Sequence, residues 1–147
     1  MSRYKFGYGY GEHELPDGFK ERLSAAFKAI RKRGFIAKQN FLCCGGCASG
    51  QIYSDFCKLH NSNNKKAEAT IGFVFYHRQN TSDLMNNRCK GFHLAYGSLE
   101  IQDKVITKIS MKEAGVIVTE ELSKQGIKFE WNGDPDKKIM VLKELVN

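Results

Sequence analysis

The sequence predicts an α+β fold: one domain, a mainly antiparallel sheet, and two main helices packed on one face. Three observations carry that expectation. Phe19, Leu23, Phe27 and Ile30 recur at helical spacing, and so do Met111, Ala114, Val118 and Leu122. Short runs rich in aromatic and branched residues, led by IGFVFYH at residues 71–77, read as strands. The order helix, strand, turn, strand, strand, helix, strand, strand then separates the helices from a continuous sheet.

The chain opens with RYKFGYGYG at residues 3–11, where aromatic side chains alternate with glycine. Such a stretch suits base stacking, or an extended arm or edge strand whose rings pack on the domain. It is short and does not repeat, which favours packing. Residues 1–15 are therefore expected as an aromatic and glycine-rich N-terminal arm of a single domain spanning residues 1–147. Pro16-Asp17-Gly18 starts the first helix, with Asp17 as its cap. Lys20, Lys28, Arg31 and Arg33 lie off the apolar stripe, and the last two complement the dipole at the helix C-terminus. Gly34 ends the helix.

Residues 35–42 read as the first strand. Gly45, Gly46 and Gly50 break up the next stretch and leave a short helix or turn over residues 51–59, then a polar loop from His60 to Lys66. Residues 71–77 are expected in the centre of the sheet. Thr81 caps a short helix over residues 82–88, residues 91–97 make the next strand, and residues 99–109 a weaker strand or turn. Ser110 and Glu113 form a capping box for the second main helix, which Gly126 closes. Residues 127–131 alternate strictly, as a half-buried strand does. Asn132-Gly133-Asp134-Pro135-Asp136 turns the chain into a last strand at residues 138–142, giving a C-terminal hairpin.

Composition excludes several classes. A chain of 147 residues with 41% hydrophobic residues can bury a core, so it is not a disordered chain. No apolar run approaches a membrane span, and the first residues have no apolar signal-peptide core. The expected compartment is the cytoplasm, where the five cysteines stay reduced; their odd number also argues against a disulfide framework. The formal charge of +7 is uneven: residues 1–66 carry twelve Lys and Arg against five Asp and Glu, and residues 67–147 carry eleven of each. A basic N-terminal half suits an acidic partner or nucleic acid. Apart from Arg31-Lys32-Arg33 the cations are scattered, and a solvated helix face is the favoured account of them. There is no aromatic RNP-type RNA signature, and no GxxxxGK[ST] or GxGxxG for a nucleotide.

The chemistry concentrates in NFLCCGGCASGQIYSDFCKLH at residues 40–60. Cys44, Cys47, Cys57 and His60 have the residue types and paired two-residue spacers of a structural zinc site. Nine residues between the pairs is short for two knuckles. Buried cysteines also serve as small hydrophobes. Cys44-Gly45-Gly46-Cys47 has the form of a redox dithiol, but no βαβ pattern surrounds it, and Pro16 and Pro135 are poorly placed to face it. A nucleophilic Cys44 with His77 as base is a further arrangement, against which a hydrogen-bonded structural His77 is favoured. His93, alternating within a strand, and His13, near the start, read as structural.

Several phrases together resemble a known pattern. AKQNFLCCGGC at residues 37–47, GFVFYHRQNT at 72–81, GFHLAYG at 91–97 and GIKFEWNGDPDKKIMV at 126–141 are similar to an uncharacterised bacterial domain family. Its members show CCxxCGHAEI-like, G[YF]VF[FY]HxQDT-like and LxLAYG-like stretches and a WxGDP hairpin. The resemblance implies a shared fold and brings no assigned activity. It places the family's polar positions on Cys43, Cys44, Cys47, His77, Gln79, Thr81 and Tyr96. The chain departs from the pattern at Ala48-Ser49, where the family has Gly-His, and at Asn80, where it has an acid. Cys57 and His60 lie outside the pattern.

The function expected from these readings is a non-catalytic binding or regulatory module. It contacts a macromolecular partner through the basic first helix and the cysteine-rich turn, with a structural zinc at Cys44, Cys47, Cys57 and His60 as an added feature. A protein partner is expected before nucleic acid, and no membrane; the oligomeric state is open. The alternative is a cysteine-dependent enzyme with Cys44 as nucleophile and His77 as base. A pocket is expected around His77, Asn80, Thr81 and Tyr96.

Overall fold

The computed structural model describes residues 2–5, 12–42, 45–62, 65, 69–86, 88–101, 106–107 and 109–146. Its elements run β1 (Ser2–Lys5), β2 (Glu12–Leu15), α1 (Phe19–Lys32), β3 (Phe35–Lys38), α2 (Gly45–Ser62), β4 (Gly72–Phe75), α3 (Arg78–Met85), β5 (Gly91–Ser98), β6 (Glu100–Ile101), β7 (Ile106–Thr107), α4 (Met111–Lys124), β8 (Ile127–Glu130) and β9 (Ile139–Leu145). Five strands form the main sheet in the order β3-β4-β5-β9-β8. β3 and β4 are parallel; the other pairs are antiparallel. β1 and β2 form an antiparallel pair, with residues 6–11 of the expected arm outside the described residues.

Side-chain alternation divides the sheet into two apolar faces. One carries Phe35, Ala37, Val74, Tyr76, Phe92, Leu94, Tyr96, Ile139 and Val141, covered by α1, α3 and α4. All four predicted stripe residues of α1 are fully buried, and so are Ala114, Val118 and Leu122 of α4. Met111 is exposed, although its Sδ accepts from the Ser98 N–H at 3.4 Å. The other face carries Ile36, Phe73, Phe75 and Ala95, covered by Ala48, Ile52, Phe56 and Leu59 of α2.

This corrects the expected architecture. The sheet is α+β and mostly antiparallel, but four helices are present among the described residues where two main ones were expected, and they cover both faces. The error traces to Gly45, Gly46 and Gly50. Each costs a helix about 1 kcal/mol relative to alanine, but the stripe from Ala48 to Leu59 buries enough apolar surface to outweigh this. Because β3 and β4 are parallel they need a crossover, and α2 supplies it. A βαβ unit therefore does surround the cysteine stretch, contrary to the sequence reading.

Local signals decide the helix ends. Ser110 Oγ accepts from the Glu113 N–H at 3.0 Å, and Glu113 Oε1 accepts from the Ser110 N–H at 3.4 Å, closing the predicted capping box. The cap of α1 falls on Gly18 (φ 81°), one residue after the expected Asp17. α3 starts at Arg78, so Thr81 sits inside it and His77 is the cap.

The turn after β8 is clamped from beneath. Trp131 Nε1 donates to Asp134 O at 3.0 Å, and Tyr96 Oη donates to Lys137 O at 2.8 Å. Gly115 of α4 sits directly on these rings: a Cβ there would lie 2.5 Å from Trp131 Cη2 and 3.0 Å from Tyr96 Cε2. Gly115→Ala should therefore destabilise the protein. Overpacking of about 1–3 kcal/mol outweighs the roughly 1 kcal/mol that alanine contributes to a helix. Chemical denaturation measures the balance, and an unchanged or raised midpoint would contradict this packing account.

Candidate functional site at the carboxyl ends of β3 and β4

Both parallel strands end at the same edge of the sheet, and each leads into a helix. Their pairing continues irregularly past Lys38. Tyr76 N–H donates to Lys38 O (3.3 Å), Phe41 N–H to Tyr76 O (2.8 Å) and Arg78 N–H to Leu42 O (3.0 Å). The intervening turn needs left-handed backbone at Asn40 (φ 50°) and Leu42 (φ 60°). Asparagine tolerates this conformation; leucine is strained in it. Side chains hold the turn in place: Thr81 Oγ1 donates to Asn40 Oδ1 at 2.6 Å, and Tyr76 Oη to Gln39 Oε1 at 3.0 Å.

His77 lies at the centre of this edge. It continues the alternation of Phe73 and Phe75 under α2; those two rings stack at 5.9 Å, and the imidazole is 6.4 Å from Phe75. Its Nε2 lies 3.7 Å from where a Cβ on Gly45 would sit, so the first turn of α2 covers it. The residue is 6% exposed. Asn80 Oδ1 accepts the His77 backbone N–H at 3.1 Å, and the Asn80 backbone N–H points back at the imidazole, so the two residues form a capping box at the start of α3. Burial first, then the positive charge of Lys138, holds the imidazole pKa below its ordinary 6.5, with Asp83 opposing. The ring is therefore neutral at pH 7.

The residues singled out in the sequence separate into three groups. His77, Asn80 and Thr81 lie together at the start of α3. Tyr96 does not join them: it belongs to the opposite face, edge-on to Trp131 at 5.7 Å. Cys43 and Cys44 lie outside the described residues, so the expected Cys44–His77 pairing has only its imidazole described. Cys47 is exposed in the first turn of α2, and Cys57 is half-buried on the same helix, which also includes His60. Ten residues along one helix separate Cys47 from Cys57 by about 15 Å. Zinc–sulfur bonds are about 2.3 Å, so this helix cannot bring both sulfurs to one ion. Among the described residues no three His, Cys, Asp or Glu side chains are placed to hold a metal.

A second feature escaped the sequence reading. A groove of about 750 Å³ runs along β3, the edge strand, between the end of α1 and α2. Arg31, Lys32, Arg33 and Lys38 line it, with Asp55 in the opposite wall. Arg31 Nε donates to Ala37 O at 3.0 Å, so that carbonyl turns away from β4 and out toward the groove. Arg33 Nη1 is held by Glu120 Oε2 at 2.9 Å. Helix-end cations that sequence explains through the dipole alone also form one wall of this groove. The missing signal was the strand order, which leaves β3 at the edge of the sheet.

Comparison with known proteins gives a family and no activity. Residues 18–145 match the family described as Domain of unknown function (DUF6891). The chain belongs to that family. Neither the curated proteins nor the solved structures include a match. Among the described residues no helix is long and apolar enough to cross a membrane.

The buried imidazole has a consequence for stability. The folded chain resists protonating His77, while the unfolded chain takes the proton near pH 6.5. Stability contributed by the neutral ring is thus present above that pH and is lost as pH falls below it. Denaturant midpoints taken from about pH 7.5 to about pH 5.5 should fall more for the wild type than for His77→Gln. Equal slopes would show that His77 is not the group responsible.

Proposed function

We propose that this member of the family is a binding module that takes an acidic, extended segment of a protein partner along β3. The observation that supports this most directly is the cation-lined groove beside the sheet edge. An edge strand offers backbone donors and acceptors to an incoming strand. Here the Ala37 carbonyl is already turned outward and holds Arg31. A carboxylate arriving in the groove can draw the guanidinium into a charge-assisted, bidentate pair, and the carbonyl is then released to the incoming backbone. Lys32 and Lys38 are exposed and add attraction at longer range.

The groove favours a peptide over nucleic acid. Asp55, hydrogen-bonded to Gln51 at 2.7 Å, places a negative charge in its wall. A phosphate backbone would meet that charge at every register, while an alternating peptide can set an apolar residue beside it. Leu59 and Ile36 supply apolar lining for such residues.

The test is fluorescence titration with a labelled peptide of alternating Glu and Val. Lys32→Glu and Lys38→Glu should each weaken binding roughly fivefold, corresponding to about 1 kcal/mol for a partly exposed charge. Added salt should weaken the wild type in the same direction. Lys112→Glu, on α4 away from the groove, should leave binding unchanged. Insensitivity to both groove substitutions, or tighter binding of single-stranded DNA than of the peptide, would overturn the reading.

A further inference from the structure

The fifth cysteine, Cys89, belongs neither to the groove nor to the surroundings of His77, and it meets a lysine in an unusual position. Along β9, Ile139, Val141 and Leu145 pack on the core, and Lys143 occupies the place between the last two in that alternation. β9 pairs with β5 as far as Gly91 against Leu142, and the Lys143 N–H then donates to Lys90 O at 3.0 Å. The lysine is thus fixed beside the connection from α3 to β5. It is half-buried where an apolar side chain would continue the stripe.

Two nucleophilic residues converge there on one carbonyl. Asn86 O accepts from Lys143 Nζ at 2.8 Å and from the Cys89 N–H at 3.1 Å. The Cys89 Sγ lies 3.9 Å from Asp83 Oδ1 in the last turn of α3. Both Cys89 and Asp83 are close enough to act on the Lys143 charge. The thiol is half-buried, so a small reagent can reach it, and Arg88 beside it is exposed and attracts anionic ones.

The setting also favours the neutral amine. Burial lowers the Lys143 pKa to about 8, with Cys89 and Asp83 opposing. Near that pH about half of the side chains carry an unprotonated, nucleophilic amine, against under about 1% for an ordinary lysine. A group captured by the neighbouring sulfur would meet this amine at high effective concentration.

We propose that Cys89 and Lys143 form a two-step acylation site, in which Cys89 takes the acyl group of a small-molecule thioester and passes it to Lys143 Nζ. In the first step Cys89 Sγ attacks the thioester carbonyl, the donor's carbon–sulfur bond breaks, and the departing thiol carries away the proton that Cys89 gives up. In the second step the neutral amine attacks the new thioester carbonyl. The bond to Cys89 breaks, an amide forms, and the proton lost by nitrogen returns to Sγ. Nothing is oxidised or reduced, and Cys89 is regenerated. The product replaces a half-buried ammonium with a neutral amide, which removes a desolvation cost. The site is independent of the peptide groove.

The folded protein is incubated with acetyl-coenzyme A at about pH 8, and acetyl groups are located over time by peptide mass spectrometry. Hydroxylamine removes S-acetyl groups and leaves N-acetyl groups, so the two products are followed separately. Lys143 should be acetylated at least about tenfold faster than the exposed Lys90, and this advantage should vanish when the wild type is unfolded in urea. Cys89→Ser and Cys89→Ala should each slow acetylation of Lys143 at least about tenfold while leaving that of Lys90 unchanged. Lys143→Arg should accumulate a hydroxylamine-sensitive acetyl group on Cys89. Thermal midpoints check that each variant is folded, and the urea comparison needs no variant. A Lys143 rate no higher than that of Lys90, an advantage that persists in urea or in both Cys89 variants, or no S-acetyl group on Cys89 in Lys143→Arg would overturn the proposal.

Discussion

The parallel pairing of β3 with β4 is the constraint on which the rest of the structure depends. A parallel pair cannot be joined by a hairpin, so the chain must cross the sheet between them. One face is already filled by α1 and α4. Phe73 and Phe75 leave the other face apolar, and α2 covers it. β4 is thus buried on both sides and paired on both edges, parallel to β3 and antiparallel to β5. The same pairing brings the start of α2 over His77 and sets the carboxyl ends of the two strands side by side.

Much of this was legible in the sequence, and the failures share a cause. The stripe of α1, the Ser110–Glu113 box, the strands at 71–77 and 91–97 and the C-terminal hairpin all rest on local periodicity or turn chemistry, which a chain displays directly. The α2 helix was obscured because three glycines fall in its first two turns, and only the sheet surface beneath explains why they are tolerated. With that helix shortened, the crossover was invisible, and the sheet read as mainly antiparallel with its helices on one face. His77, Asn80 and Thr81 fall together because three near neighbours in sequence share one helix start. Tyr96 was misjoined to them because alternation in a strand does not say which face a neighbouring strand's residue will meet. Cys44, Cys47, Cys57 and His60 were grouped by spacing, and spacing alone does not tell a knuckle from a continuous helix such as Gly45–Ser62.

The groove and His77 lie at different parts of the same βαβ unit. The groove follows the outer side of β3 along its length, and His77 lies beyond the end of β4. Arg31 ties the groove to the body of the protein: its side chain reaches from the last turn of α1 to the Ala37 carbonyl. A charge on an edge carbonyl also limits edge-to-edge pairing with another copy of the chain. Asn40 and Gln39 connect the turn at the strand end to α3 and to Tyr76. The scaffold around both features is therefore built from buried aromatic packing and short side-chain hydrogen bonds.

The central seam of the sheet has a kinetic consequence. β5 meets β9 across residue 91 against residue 142. On one side of that seam lies a stretch built in chain order, β3, α2, β4, α3 and β5; on the other lies α4 with the β8–β9 hairpin. Each half can form its contacts over short sequence separations, whereas joining them requires closing a long loop. Loop closure adds an entropic barrier that grows only slowly with length, but distant pairings set the pace of two-state folding. The docking of the hairpin on β5 is therefore the step expected to limit folding, with both edge strands already paired inside their halves.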